Sequence, residues 1–202
     1  AEHEERERER EGRDWGEEDF QDNLTFREDS LSVIKGVVST PVGDDIPIWI
    51  TTDSGSMTQL MQADYARKLK LPIEEMKGGS CFNIASPGGG QDFVHKFVRL
   101  ALRVKCKREG EPGQAYCNND AVEEERLVPM QFGLCESLPV PILWGGKQMR
   151  RYNLIDYHRN KVVSVELEEG LRYSMPSTSW LVASAEMAQE TEAKWKKAYQ
   201  PF

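Results

Sequence analysis

Histidine is scarce in this chain: His3, His95 and His158 are the only three in 202 residues. Their scatter offers no metal-ligand spacing, so no metal site is expected. The four cysteines are Cys81, Cys106, Cys117 and Cys135, and no two of them form C-x-x-C. That argues against a zinc ribbon or a thioredoxin motif. No run of about 18 apolar residues occurs, so no transmembrane helix and no membrane partner are expected. No apolar segment follows a basic start, which sets the expectation of an intracellular, cytoplasmic protein with reduced thiols. H-E-x-x-H and G-x-S-x-G are both missing. Gly146-Lys147 continues into Gln148 without an upstream glycine, so it is not a phosphate-binding loop. No cofactor is expected.

A basic surplus is also missing. The chain carries 26 Lys and Arg against 34 Asp and Glu, a net charge of −8. Residues 1–30 hold 13 acidic residues and 5 arginines, so this segment accounts for the whole imbalance. The remaining residues are neutral overall, and no nucleic-acid partner is expected for this segment. The clusters at 103–108 and 147–151 read as solvated basic faces.

What is present divides the chain into three. Residues 1–28 alternate Glu and Arg with no apolar face, and read as a disordered charged tail or linker. Residues 29–170 read as a β-rich domain, and 171–202 as a C-terminal extension with a helix over 185–199. Inside the domain, 31–38 and 46–52 are β-branched runs around a Pro41-Gly43-Asp44-Asp45 turn, a hairpin pattern. Met61, Tyr65 and Leu69 fall at i, i+4 and i+8, which predicts a helix over 58–70 ended by Pro72. Residues 77–92 are rich in Gly, Ser and Pro and read as a loop or hairpin. Residues 98–104 alternate apolar and charged, a half-buried strand. A turn-rich excursion spans 107–125, another strand 127–135, a short helix 147–153, and a last hairpin 154–167. The expected fold class is all-β with one or two helices, closer to a barrel or sandwich than to a parallel α/β sheet.

The residues with chemistry are Asp53-Ser54-Gly55-Ser56, a carboxylate and a tight glycine loop at the end of the apolar run IPIWITT. A D-[ST]-G triplet arises by chance in about one chain in ten of this length. The bland reading is a turn that caps the following helix. The context is more specific. After Asp53 come the helix ending Lys68-Leu69-Lys70-Leu71-Pro72, the glycine-rich stretch, and then Leu138-Pro139-Val140-Pro141-Ile142-Leu143-Trp144-Gly145. Arg151-Tyr152-Asn153 and Ile155-Asp156-Tyr157 follow. Over residues 31–167 this order resembles the retropepsin-like aspartic proteases of retroviruses, retrotransposons and their domesticated relatives.

The resemblance implies a closed barrel of the acid-protease type and a peptide or polyprotein substrate. It implies Asp53 as the catalytic carboxylate, with Ser54, Gly55 and Ser56 supporting its loop. Leu143, Trp144 and Gly145 would be the second apolar–Gly landmark, and Pro87, Gly88, Gly89 and Gly90 the candidate flap tip, for which a plain loop is the bland alternative. Aspartic-protease chemistry needs two carboxylates sharing a proton. One D-S-G per chain therefore implies a homodimer. Three features depart from the pattern: Lys147 stands where related elements often hold Asp, Trp144 is bulkier than the usual residue, and Asp53 lies further from Gly145 in sequence than in compact retroviral enzymes, for which an insertion at about 107–125 would account. The alternative readings are an inactive retropepsin-like domain kept for dimerisation or peptide binding, and an unrelated β-rich domain. A thiol pair of Cys117 or Cys135 with His158 is a weaker candidate than an incidental thiol.

Overall fold

The computed structural model describes residues 31–85, 91–110 and 120–198, with side chains described through residue 190. The segments 1–30, 86–90, 111–119 and 199–202 lie outside the described residues, among them the charged tail, the candidate flap tip and Cys117.

The first hairpin joins β1 (Ser32–Ser39) to β2 (Asp45–Asp53), with Val33 opposite Thr51 and Ser39 opposite Asp45. Its turn is closed at Thr40. The Asp44 N–H donates to the Thr40 hydroxyl at 3.2 Å, and the Thr40 N–H to the Asp44 carbonyl at 2.8 Å. Gly43 takes φ = 90°, a value that favours glycine. Then follow β3 (Leu60–Gln62), α1 (Ala63–Lys68), β4 (Ile73–Glu75) and a separate hairpin of β5 (Phe82–Ala85) and β6 (Gln91–Val94). Two long strands come next, β7 (Lys96–Arg108) and β8 (Glu123–Cys135), paired from Phe97–Gly133 to Lys107–Glu123. The chain continues through β9 (Ile142–Gly145), α2 (Gly146–Arg151), β10 (Ile155–Tyr157), β11 (Val162–Glu168), β12 (Leu171–Ser179) and α3 (Trp180–Ala198).

Ten strands form one sheet in the order β10-β11-β12-β1-β2-β9-β3-β8-β7-β4. Further pairing of β7 with β12 and β1 closes it, so the chain is an all-β closed barrel with few helices. Ile34, Ile48, Leu102, Phe132, Trp144 and Met175 are among the side chains sealed inside. The strand β9 lies between β2 and β3, parallel to the first and antiparallel to the second.

Two expectations are corrected. The helix over 58–70 shrinks to α1, because Leu60 and Met61 are held in strand β3 by ladders to β8 and β9. The barrel does not stop at 170. Strand β12 lies between β11 and β1 in the sheet, and the C-terminal helix starts at Trp180 rather than 185.

The helix α3 covers the outer face of the first hairpin. Val33, Trp49 and Ala183 are all buried there, with Trp180 and Met187 packed at the edge. This explains why neighbouring Val33 and Ile34 are both fully buried: one faces the helix, the other the barrel. Lys35 sits 4.8 Å over the Trp49 ring and reaches Glu190 at 3.5 Å, a contact that orients more than it stabilises. An Ala183→Glu substitution would push a carboxylate against Val33 and Trp49. We expect it to lift α3 from the barrel and cost about 2 kcal/mol. Urea unfolding gives the loss, and hydrogen exchange localised to α3 distinguishes detachment from global unfolding.

Candidate active site

Asp53 is the last residue of β2. Ile48, Trp49, Ile50, Thr51 and Thr52 before it are buried, whereas Asp53 is half-buried and Ser54 and Gly55 are exposed. The carboxylate therefore emerges where the strand leaves the core. The Gly55 N–H donates to Asp53 Oδ1 at 2.8 Å, and the Ser56 N–H to the Asp53 carbonyl at 3.2 Å. The turn is anchored on both flanks. Upstream, the Thr52 hydroxyl, itself buried, donates to the Ser32 carbonyl at 2.9 Å. Downstream, the Ser56 hydroxyl donates to the Thr58 carbonyl at 2.8 Å, and the Gly146 N–H to the Ser56 carbonyl at 2.7 Å.

The second landmark packs directly against this loop. In the parallel ladder Thr51 faces Leu143, Thr52 faces Trp144 and Asp53 faces Gly145. A side chain at Gly145 would put Cβ 1.9 Å from the Thr58 carbonyl oxygen, where backbone leaves no room. Glycine is required by close approach, since φ here is an ordinary −92°. Trp144 is fully buried and meets the Tyr152 ring edge-to-face at 5.8 Å. Tyr152 in turn donates its hydroxyl to the Pro129 carbonyl at 2.5 Å. The larger ring is thus accommodated in the core, away from Asp53. Lys147 points outward and is exposed.

The glycine-rich stretch forms the β5–β6 hairpin, whose tip residues Pro87 to Gly90 lie outside the described residues. Its root rests on an apolar cluster of Leu60, Val94, Cys135 and Leu143, joined by Phe82, Ile84, Leu138 and Val140. Leu138 and Val140 of the second landmark thus support the hairpin, and Leu143 links it to the strand beside Asp53.

Asp92, on the hairpin strand β6, was not singled out in the sequence. Its Oδ2 accepts from the Cys135 thiol at 3.0 Å, the Glu136 N–H at 2.8 Å, the Ser137 N–H at 3.2 Å and the Ser137 hydroxyl at 3.4 Å. Its Oδ1 accepts from the Phe93 N–H at 2.9 Å. These donors, led by the thiol, hold the Asp92 carboxyl below the usual carboxylate range. Burial, reinforced by Asp92, pushes the Cys135 thiol up to about 11, so it stays protonated and donates. The only sequence signal is an acid two residues after a glycine run, which is weak.

Cys135 and His158 do not come together. The thiol is occupied by Asp92, while His158 has Nδ1 at 3.3 Å from the Ser32 hydroxyl and Nε2 at 3.4 Å from Asp156. Phe97 and Trp49 are buried as core residues, but Phe93 is 57% exposed. Among the described residues no group of three or more His, Cys, Asp or Glu could hold a metal ion. None of their helices is long and apolar enough to cross a membrane.

No family model and no curated protein matches the sequence. Among solved structures, the retroviral protease-like domain of Ddi1 from Leishmania major is similar in backbone path, with a TM-score of 0.44 and 11% sequence identity. The match covers 73% of this chain and 93% of that chain.

Two outcomes follow from this geometry. Gly145→Ala forces Thr58 and the Asp53 loop apart, with an expected loss of about 1–3 kcal/mol in urea unfolding. For Asp92, a carboxyl lowered in the folded state adds stability above its unfolded value, and that stability is lost as the pH falls. Hairpin amide protection factors should therefore decline below about pH 4. In Asp92→Asn they should be low throughout and lack the acid decline.

Proposed function

We propose that the chain is an aspartic endopeptidase of the retropepsin-like kind, acting as a homodimer in which each copy supplies one Asp53. The observation that carries this reading is the seat of Asp53. A carboxylate is delivered by a buried strand to a glycine turn, and that turn is locked against a second apolar–Gly strand in the register Asp53–Gly145. The order of the D-S-G-S, K-L-K-L-P and L-P-V-P-I-L-W-G motifs supports the same family.

The chemistry needs a second carboxylate, and a second copy related by a two-fold axis beside Asp53 supplies it. Like charges at contact share one proton. The ionised member takes a proton from water as its oxygen attacks the peptide carbonyl, and the protonated member gives its proton to the carbonyl oxygen. Collapse of the tetrahedral intermediate breaks the C–N bond as the leaving nitrogen takes up a proton. Ser54 contributes a hydroxyl between the two loops, and Gly55 holds each carboxylate through its N–H. The substrate is an extended, unfolded segment that pairs through its main chain with a free edge of the β5–β6 hairpin. The motif order favours processing of a retrotransposon-type polyprotein.

Purified chain incubated with an unfolded protein should cleave it on the acidic side of neutral, with a bell-shaped pH profile. Asp53→Asn should lower the rate by on the order of a thousandfold or more. Rate per chain should fall on dilution below the dimer dissociation constant. Absence of cleavage at concentrations where sedimentation shows a dimer would overturn the enzymatic reading in favour of a dimerisation or peptide-binding domain. Cleavage retained by Asp53→Asn would remove Asp53 from the mechanism.

A further inference from the structure

A cavity of about 480 Å³ opens where α2 meets the long β7–β8 pair. Ligand sites commonly measure about 300–1,000 Å³. None of residues 53–56 lines this cavity, and no acidic residue does.

The backbone of β8 carries the first observation. Strand β3 pairs with β8 only over Gly133–Cys135, and no other strand lies on that side of β8 among the described residues. The Gly133 N–H turns away from β7 and donates to the Gln59 carbonyl at 3.1 Å. The Pro129 carbonyl turns the same way and accepts from the Tyr152 hydroxyl at 2.5 Å. Residues two apart on an antiparallel strand direct their N–H and C=O to the same side. Gln131 lies midway between these two, opposite Arg99, so its N–H and C=O point into the same gap. Neither group meets a protein partner among the described residues. The gap is one residue wide, bounded by Tyr152 at one end and by Gln59 at the other.

The side chains around this gap carry the second observation. Arg99 stands on β7 across from Gln131, Arg151 comes from α2, and all three line the cavity. Arg151 lies 5.9 Å from the centre of the Tyr152 ring and has no ion pair among the described residues. Glu74 is 3.5 Å from Arg99, so two guanidiniums and one carboxylate leave a surplus of one positive charge. Gln148 forms part of the wall. It is only 5% exposed, yet its Oε1 meets no donor among the described residues. A buried acceptor left without a donor is costly, and a carboxamide can turn to offer either its oxygen or its nitrogen. Ala101 and Pro129, opposite each other in the ladder, add apolar surface.

We propose that this cavity holds the C-terminal residue of a peptide chain. That residue pairs with Gln131: its N–H donates to the Gln131 carbonyl, and its carboxylate accepts from the Gln131 N–H. The same carboxylate lies between Arg99 and Arg151, and an apolar side chain rests on Ala101 and Pro129. Gln148 supplies a further hydrogen bond. One negative charge matches the one surplus positive charge. A gap one residue wide selects a chain end, because a continuing strand would run into Tyr152 or the Gln59 turn. The proposal makes no use of Asp53 and stands whether or not the chain is a protease.

The test uses the full chain carrying Asp53→Asn, so that cleavage cannot consume the probe. The probe is a short peptide ending in leucine, labelled at its N-terminus and followed by fluorescence anisotropy. The free acid should bind saturably, and its C-terminal amide about tenfold or more weakly. Arg99→Gln and Arg151→Gln should each weaken the free acid several-fold with little change in the urea midpoint. Gln131→Pro removes an N–H that the ladder to β7 does not use, so it should abolish binding and leave the barrel folded. Hydrogen exchange followed by NMR gives a readout that needs no change at position 131: the Gln131 amide should slow several-fold on saturation with peptide. Equal binding of acid and amide, or binding indifferent to Arg99 and Arg151, would overturn the proposal. So would a Gln131 amide unmoved by saturating peptide, or no binding at about 1 mM. An amidated peptide with an internal Asp competing as well as the free acid would overturn it in favour of acidic side chains. Inorganic phosphate competing equally would overturn it in favour of a general anion site.

Discussion

The register that sets Asp53 opposite Gly145 constrains the rest of this end of the barrel. Strand β9 is inserted between β2 and β3, although β2 and β3 are consecutive in the chain. The loop 54–59 must therefore pass over the end of β9 to reach β3. That crossing brings the Thr58 carbonyl to the place where a Cβ at 145 would lie, 1.9 Å away. Only glycine lets the strand and the loop occupy their positions together. The same crossing presents the Ser56 carbonyl to the Gly146 N–H at 2.7 Å, so α2 begins on the loop itself. Position and orientation of the Asp53 carboxylate are consequences of a backbone packing that no side chain could relieve.

The alternation of β9 ties that loop to the hairpin. Ile142 and Trp144 face the barrel core, while Leu143 faces the cluster beneath β5–β6. Successive side chains on opposite faces let a four-residue strand serve two packing units. The hairpin gains a second attachment through Asp92, whose partners lie 43 to 45 residues further along the chain. Apolar contact holds the hairpin root against the body, and a carboxylate with directional donors sets its angle.

The sequence was most legible where one local pattern sufficed. Alternation along β7, the first hairpin and the D-S-G-S turn all follow from side-chain period and turn chemistry. It was least legible where distant pairing decided the outcome. Met61 fits a helical face with Tyr65 and Leu69, yet lateral pairing with β8 and β9 draws it into a strand. Strand β12, LRYSMPSTS, is too polar and too interrupted by Pro176 to look like a barrel strand. Its buried Ser174 donates to the Lys107 carbonyl at 3.4 Å, and Arg172 donates to the buried Ser164 hydroxyl at 2.9 Å. These partners are supplied only by the closed sheet. Asp92 was invisible for the same reason.

Three aspartates differ in how far their surroundings engage the carboxylate. Asp45 is bound by Arg103 and the Ser39 hydroxyl, and Asp92 by five donors. In each the lone pairs are spent on neighbours and the anion is held in place. Asp53 differs. Among the described residues it has no cationic partner, and its carboxylate accepts one N–H, from Gly55. It is half-buried, at a turn whose backbone is bonded on both sides. A carboxylate wrapped by donors makes a good clamp and a poor proton acceptor, because each donor opposes protonation. One that accepts a single backbone N–H keeps most of its hydrogen-bonding capacity for other partners. The contrast with Asp45 and Asp92, on the same scaffold and in the same solvent, is the physical reason to look for chemistry at Asp53.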